Sequence, residues 1–257
     1  MPRTAILAAR RRPHLRRAPV QSSLTIARRR LTVLGVYLTL VLLLLVFAPQ
    51  AHAAGGAHVV DDANVETPGV CHLESWVTAY DGERGLANLS PACTRKAWPR
   101  LEIGGAAQHL WDGGDDTTIG PTLKLNLRPT ESGLGLGLIG AGAWSVHSGR
   151  LETASLIVPA SRAVTDRVRV NLNAGWVYDR ASAHPHTIFY GGQIEADVAR
   201  DLMLMVEAFG RDHGPPGGQI GLRWNPGGGR VDLDLLAGRR IDGASPKAIT
   251  LGLTVRR

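Results

Sequence analysis

The chain has 257 residues, with 29 Lys and Arg against 22 Asp and Glu and a formal net charge of +7. The basic excess lies at its start, since residues 1–30 hold nine arginines and no acidic residue. From residue 54 onward 20 basic residues face 22 acidic ones, a net charge of −2, so the charge gives no argument for binding nucleic acid. These 204 residues correspond by length to one domain.

Residues 1–53 have the three parts of a secretory signal peptide. The arginine-rich start is followed by Leu31–Ala48, which carries no charge, and by a small-x-small cleavage site, Ala-His-Ala, at residues 51–53. The apolar run is also long enough to remain as an uncleaved membrane anchor. The signal-peptide interpretation predicts an exported protein whose mature chain begins at Ala54.

The mature chain is expected to begin with a flexible stretch. Residues 54–70 are rich in Gly, Asp and Pro and have no sustained period, which predicts a flexible periplasmic segment. The two cysteines, Cys71 and Cys93, follow the cleavage site, and an oxidising periplasm favours a disulfide between them. A metal site is the alternative, but it lacks further thiols nearby. No metal and no cofactor are predicted.

From residue 71 onward the chain alternates apolar and polar residues in long strands that are separated by turn-formers. Residues 167–179 are the clearest case, because an ordinary strand has about 5–6 residues whereas a tilted strand that crosses a bilayer needs roughly 9–11. Residues 71–257 are therefore predicted to form an all-β, antiparallel transmembrane β-barrel in a Gram-negative type of outer membrane. The predicted strands are 71–80, 86–94, 99–111, 117–128, 134–146, 150–160, 167–179, 187–198, 202–212, 217–225, 230–240 and 247–256. Ten strands are the alternative to twelve, because 86–94 has the weakest pattern.

The two faces of these strands differ in polarity. One face carries residues such as Ile249, Leu251 and Leu253, which are expected to contact lipid, and the other face carries charged residues in mid-strand. A polar interior of both signs is typical of a barrel that lipid covers on the outside, whereas a soluble sandwich or lipocalin-like barrel has the opposite polarity. The residues predicted to line the pore are Lys124, Arg128, Arg167, Arg169, Glu195, Asp197, Arg223, Asp232 and Asp234.

An even strand count places both ends of the barrel chain on the periplasmic side. The predicted periplasmic turns are 129–133, 161–166, 199–201 and 226–229. The predicted external loops are 112–116, 147–149, 180–186, 213–216 and 241–246. Cys71 begins the first strand and Cys93 ends the second, so a hairpin brings both cysteines to the periplasmic end, in agreement with twelve strands.

The start of the mature chain resembles a known outer-membrane family. Residues 61–69 read Asp-Asp-Ala-Asn-Val-Glu-Thr-Pro-Gly and lead into a first strand that contains Glu74; Pro129, Pro159 and the unit 171–180 are also similar in placement. These features resemble the family named for the meta-pathway of phenol degradation. The resemblance spans most of the mature chain and implies a transporter-like β-barrel for aromatic or other hydrophobic compounds. The chain departs from outer-membrane barrels at its end, which is Arg257 instead of an aromatic residue.

Three functions fit such a barrel. A channel or transporter for small or hydrophobic compounds is the favoured hypothesis. The alternatives are a membrane-embedded enzyme that modifies lipid and a non-conducting structural or adhesive barrel. His147 and Ser148 are residue types that lipid-A deacylases use, but the extended motif of those enzymes is missing, so no catalytic residue is predicted. The histidines of the external loops, among them His184, His186 and His213, are interpreted as ordinary polar loop residues and not as metal ligands. The predicted partners are outer-membrane lipid, the outer-membrane assembly machinery and an unidentified small permeant, without nucleic acid.

Overall fold

A computed structural model describes residues 57–111, 115–226, 229–239 and 247–257. The predicted signal peptide and its cleavage site lie outside the described residues. The described residues form a closed barrel of twelve antiparallel strands, so the predicted all-β barrel is confirmed and the ten-strand alternative is wrong. None of the helices among the described residues is long and apolar enough to span a membrane.

Each strand pairs with its neighbours in sequence, and the last strand pairs with the first, so that no sheet edge remains. The strands are β1 (Cys71–Tyr80), β2 (Gly85–Thr94), β3 (Leu101–Trp111), β4 (Asp115–Arg128), β5 (Leu134–Ser145), β6 (Leu151–Thr165), β7 (Val168–Asp179), β8 (His186–Ala199), β9 (Leu202–Arg211), β10 (Gly217–Trp224), β11 (Val231–Arg239) and β12 (Lys247–Arg256). The turn predicted at 161–166 is shorter than expected, because the polar end of β6 continues to pair with β7.

The polarity of the wall is that of a barrel in lipid. Large apolar side chains are exposed on the outside, among them Leu172 and Ile249, which are 57% and 59% exposed. Polar side chains are buried inside, among them Asn171 and Thr250. Because hydrocarbon covers the outside and the lumen encloses the polar groups, the period-two pattern of the sequence fixes which face of each strand points inward.

The chain before β1 turns back into the barrel. Pro68 and Gly69 occupy the centre of a β-turn in which the Val70 amide donates to the Thr67 carbonyl at 2.9 Å, and Gly69 has the positive φ of +99° that this turn type requires. The Gly69 amide also donates to the carbonyl of Thr94 on β2. We call residues 57–69 the N-terminal segment: residues 57–66 contact inward-facing side chains of the wall and lie in the lumen, and residues 67–69 form the exposed turn at its entrance.

This position corrects one prediction. Residues 54–70 were expected to be a flexible periplasmic segment, but from residue 57 onward Ala57, Val60, Ala63 and Glu66 are each at most 1% exposed. The Gly, Asp and Pro content and the lack of a period predicted flexibility because the wall side chains that bind this stretch lie far away in the sequence.

The predicted disulfide between Cys71 and Cys93 is confirmed. The two residues lie directly opposite each other in the register of β1 and β2, at the end of the barrel where the chain termini meet. We call this end periplasmic, since an even number of strands places both termini there. The disulfide therefore joins β1 and β2 beside the turn from which the N-terminal segment enters the lumen.

Candidate functional site

The base of the N-terminal segment is fixed by Glu66. Its carboxylate accepts a hydrogen bond from Arg256 of β12 at 3.0 Å and lies 3.7 Å from Nδ1 of His72. Arg256 also donates to Asp232 of β11 at 2.6 Å. Burial by itself would raise the pKa of Glu66, but the neighbouring His72 and Arg256 outweigh it and hold the pKa below its ordinary value.

The middle of the segment is held by opposite charges. The Lys124 ammonium lies 2.9 Å from Asp61 and 3.2 Å from Asp62, and Arg169 lies 3.5 Å from the second oxygen of Asp62. Lys124 and Asp62 are buried, so their charges are compensated by each other and not by water. A buried pair of this kind tolerates the loss of neither partner.

The segment backbone has no strand beside it, and polar side chains of the wall supply its hydrogen bonds. Ser161 accepts from the Ala63 amide at 2.8 Å, and Asn126 donates to the Ala63 carbonyl at 2.9 Å. Asn173 accepts from the Asp61 amide and donates to the Asp61 carbonyl, at 2.8 and 2.7 Å. Buried amide and carbonyl groups need such partners, so Asn and Ser in the wall hold the segment in a defined register.

The tip of the segment is fixed by Glu207 of β9. One carboxylate oxygen of Glu207 lies 2.5 Å from Nδ1 of His58, and the other accepts from the amides of Val59 and Val60 at 2.9 and 3.0 Å. The Val60 side chain packs against Phe189 and Phe209. One carboxylate thus binds three groups of the tip, and Val60 adds an apolar contact with the wall.

The nine residues that were predicted to line the pore fall into two groups. Six take part in the buried charge network of the lumen: Lys124, Arg169, Glu195, Arg223, Asp232 and Asp234. Within it Arg169 pairs with Glu195, and Arg223 donates to both oxygens of Asp234 at 2.7 and 2.9 Å. Arg128, Arg167 and Asp197 lie apart from the network, at the periplasmic mouth, where Arg128 donates to the Ser132 carbonyl. Their role along a conducting path stays a prediction.

The sequence did not predict the contribution of the N-terminal segment. His58, Asp61, Asp62 and Glu66 belong to no strand, so strand periodicity gives no signal for them. Glu207 lies on the inward parity of a predicted strand, and this signal is sufficient to place it in the lumen, though not to identify its partner.

The segment does not fill the periplasmic mouth completely. A cavity of about 1270 Å³ remains between the segment and the periplasmic ends of the wall strands. Its lining includes Arg167, Asp197 and Arg200 from the wall and Asn64 and Glu66 from the segment. The mouth is therefore a vestibule lined by charged side chains of both signs.

The opposite half of the lumen holds two apolar clusters beside buried polar side chains such as Thr78 and Thr250. Tyr80, Leu86 and Ala248 form a buried cluster with Trp76 and Leu110 packed against it. A second cluster, around Phe189 and Phe209 at the segment tip, adds Ile157 and Val177. The lumen thus has a charged periplasmic half, which the segment occupies, and an outer half in which aromatic and aliphatic clusters lie among uncharged polar side chains and an ion pair between Arg211 and Asp179.

The external loops show no catalytic arrangement among the described residues. His147 and Ser148 are both exposed, and no hydrogen bond joins them. The rings of His184 and His213 stack with centroids 4.1 Å apart, and His186 stacks on Trp176. No cluster of three or more His, Cys, Asp or Glu side chains with metal-binding geometry occurs within the part of the chain that the structure describes.

Comparisons with known proteins place this geometry in a family. A family model described as Uncharacterised conserved protein UCP029691 matches residues 42–257. This model gives no link to phenol degradation, so the resemblance drawn from the sequence is supported only as far as a porin-like outer-membrane barrel. No curated protein matches the chain by sequence.

Solved structures show the same fold. The KdgM porin superposes with a TM-score of 0.57 at 9% identity, covering 72% of this chain and 98% of the porin. The KdgM porin in complex with disordered oligogalacturonate gives the same values. The NanC porin superposes with a TM-score of 0.51 at 7% identity, covering 72% of this chain and 98% of the porin. At these identities the likeness concerns the fold, which is that of an outer-membrane porin barrel.

Proposed function

The chain belongs to the family whose model matches residues 42–257, and we propose that it is an outer-membrane conduit closed by its own N-terminal segment. The observation that carries this proposal is the position of residues 57–69 in the lumen, fixed by ion pairs and hydrogen bonds to the wall. None of these contacts is covalent, and the disulfide lies outside the segment, at the start of β1. The segment is thus removable without breaking the barrel.

The energetics of the segment support a gate. Its charged groups, Asp62 and Glu66 among them, are buried while the lumen is closed and gain water when the segment leaves. Buried ion pairs offset their own desolvation cost only when the geometry is good, so the closed state is held by a balance of large opposing contributions. A small change in one charge therefore shifts the equilibrium between closed and open lumen.

The outer half of the lumen supports a substrate class. A solute that enters from outside meets Trp76, Tyr80, Phe189 and Phe209, beside the ion pair of Arg211 and Asp179, before it reaches the charges that hold the segment. Aromatic walls favour flat, apolar solutes through burial of area and ring stacking. We infer that the conduit takes small aromatic or otherwise hydrophobic compounds.

Planar-bilayer conductance tests the gate. The double variant Asp62→Asn with Glu66→Gln removes two buried charges from the segment, and we expect frequent large openings where the wild type stays closed. Glu131→Gln with Asp166→Asn is the matched control, because both residues line the same vestibule but lie in turns between wall strands and not in the segment. A correctly folded double variant that never conducts would contradict the gate and favour a non-conducting structural barrel or a lipid-modifying enzyme.

Liposome swelling tests the substrate class. Phenyl glucoside and methyl glucoside share the sugar and differ only in carrying a phenyl or a methyl group, and neither crosses a lipid bilayer readily. In the opened double variant we expect phenyl glucoside to enter faster, and the additional change Trp76→Gln to reduce this preference. Equal rates of entry for both solutes would contradict the proposed preference for aromatic compounds but would not affect the proposed gate.

A further inference from the structure

His58 at the tip of the N-terminal segment lies among carboxylates in a site that excludes water. We propose that protonated His58 is a pH-sensitive latch, which holds the segment closed at neutral and acidic pH and releases it as the pH rises. The inference rests on the proposed gate and names the group that regulates it.

The geometry brings two acidic residues to one imidazole. Nδ1 of His58 lies 2.5 Å from Glu207, and Nε2 lies 3.9 Å from Asp234. The side chains of His58, Glu207 and Asp234 are 8%, 1% and 0% exposed, so solvent does not screen these charges. Protonated His58 is a cation that donates from Nδ1 to Glu207, whereas its Nε2 makes no hydrogen bond and has the Asp234 carboxylate as a negative charge 3.9 Å away.

The other groups that face His58 leave this arrangement intact. Arg223 of β10 is the cation nearby, and both carboxylate oxygens of Asp234 accept hydrogen bonds from it. Gln193 of β8 and Gln219 of β10 donate to Glu207 at 3.3 Å and carry no charge. Glu207 therefore has His58 as its closest cationic partner, and a neutral His58 leaves the Glu207 charge buried with hydrogen bonds alone.

The direction of the pH effect follows from the two states of the segment. Burial by itself lowers the pKa of His58, but the hydrogen bond and charge of Glu207 outweigh burial, so the pKa in the closed lumen lies above its ordinary value. In a released segment the ring is in water and has an ordinary pKa of about 6.5. Protonated His58 therefore stabilises the closed lumen fully below about pH 6.5. This stabilisation is lost as the pH rises through the higher pKa of His58 in the closed state.

One proton sets the size of the effect. Between these two pKa values the ratio of open to closed lumen increases by at most about tenfold for each pH unit. Single-channel recording between pH 5 and pH 9, on protein extracted folded from membranes, measures this ratio. His58→Gln removes the titrating group, so we expect the open fraction to be high throughout and the slope to vanish.

Two further variants separate the latch from other sources of pH dependence. Glu207→Gln keeps a hydrogen-bonding side chain but removes the charge, and the midpoint of the transition should move to lower pH. His109→Gln is the matched control, because His109 is an exposed histidine of β3 whose ring lies 2.9 Å from Thr117 of β4. A slope that persists unchanged in His58→Gln, or that disappears in His109→Gln, would overturn the proposal.

A labelling experiment gives a readout that does not need conduction. Ala57 is 1% exposed, so Ala57→Cys reacts with a water-soluble maleimide only after the tip has left its site. The rate at each pH is divided by that of Ala183→Cys in an exposed loop, which corrects for thiol ionisation. We expect this ratio to increase with pH, and to be high and constant when His58→Gln is added. A labelling ratio that stays low at every pH overturns the latch, even where the barrel conducts. A barrel that never conducts but shows the pH-dependent labelling ratio contradicts the proposed conduit and leaves the latch supported.

Discussion

The two halves of the lumen are built on different physical principles. In the periplasmic half the wall and the N-terminal segment form ion pairs, such as that between Glu66 and Arg256. Each charged group there depends on a partner far away in the sequence. In the outer half the wall closes on itself through apolar packing, as in the cluster around Leu86. In the proposed gate, charge pairing holds the element that leaves, and apolar clusters pack within the wall that stays.

The largest effect on stability is expected from a change at Arg256, in the charged half of the lumen. Arg256→Met leaves Glu66 and Asp232 without their shared cation, and removal of one partner from a buried ion pair costs about 3–5 kcal/mol. We expect the midpoint of urea unfolding in detergent to decrease strongly. The next residue, Arg257, is exposed and gives the control Arg257→Met, for which the midpoint should not change. Similar midpoints for both variants would refute the role of buried charge in this half.

The disulfide tests the boundary between the segment and the wall. Cys71→Ser with Cys93→Ser removes a cross-link that spans 22 positions, and closure of a loop of this size stabilises by about 3 kcal/mol on the chain-entropy model. We expect the free energy of unfolding to decrease by about this amount. The segment is anchored separately by its charges, so the barrel should stay closed in conductance recordings. Spontaneous opening would show that the disulfide itself holds the gate.

Leu86 tests the outer half. Leu86→Ala leaves a cavity in the apolar cluster, and we expect a loss of about 2–3 kcal/mol, in the lower part of the range for buried leucine, because Trp76 and Leu110 are only partly buried and can relax. Leu89 lies on the same strand but faces lipid at 46% exposure, so Leu89→Ala is the matched control with a smaller effect. Opening of the gate in Leu86→Ala would mean that the two halves are coupled and not independent.

The sequence predicts the wall far better than it predicts the segment. Lipid imposes a period of two on every strand, so the inward position of Lys124 and Asp234 follows from parity alone. The partners of the segment follow no such rule, since Glu66 and Arg256 are 190 positions apart and both are buried by the same contact. Pro68 and Gly69 are a turn-forming pair, but a turn alone does not show that the chain before it enters the barrel, where basic residues such as Lys124 and Arg256 pair with its acidic side chains.

Gly69 gives the smallest expected effect and the sharpest distinction between the halves. Gly69→Ala forces a side chain into a backbone with φ +99°, which costs on the order of 1–3 kcal/mol, at the turn through which the segment enters the lumen. Gly133 also has a positive φ, +100°, in the turn between β4 and β5, so Gly133→Ala strains the wall alone, whereas a Cβ at Gly69 additionally has to displace the flexible Lys96 side chain. We expect both variants to lower the free energy of unfolding, measured by urea titration. Only Gly69→Ala should raise the open fraction in bilayer recordings, because strain at that turn is relieved when the segment leaves, whereas strain at Gly133 is the same in the open and the closed barrel.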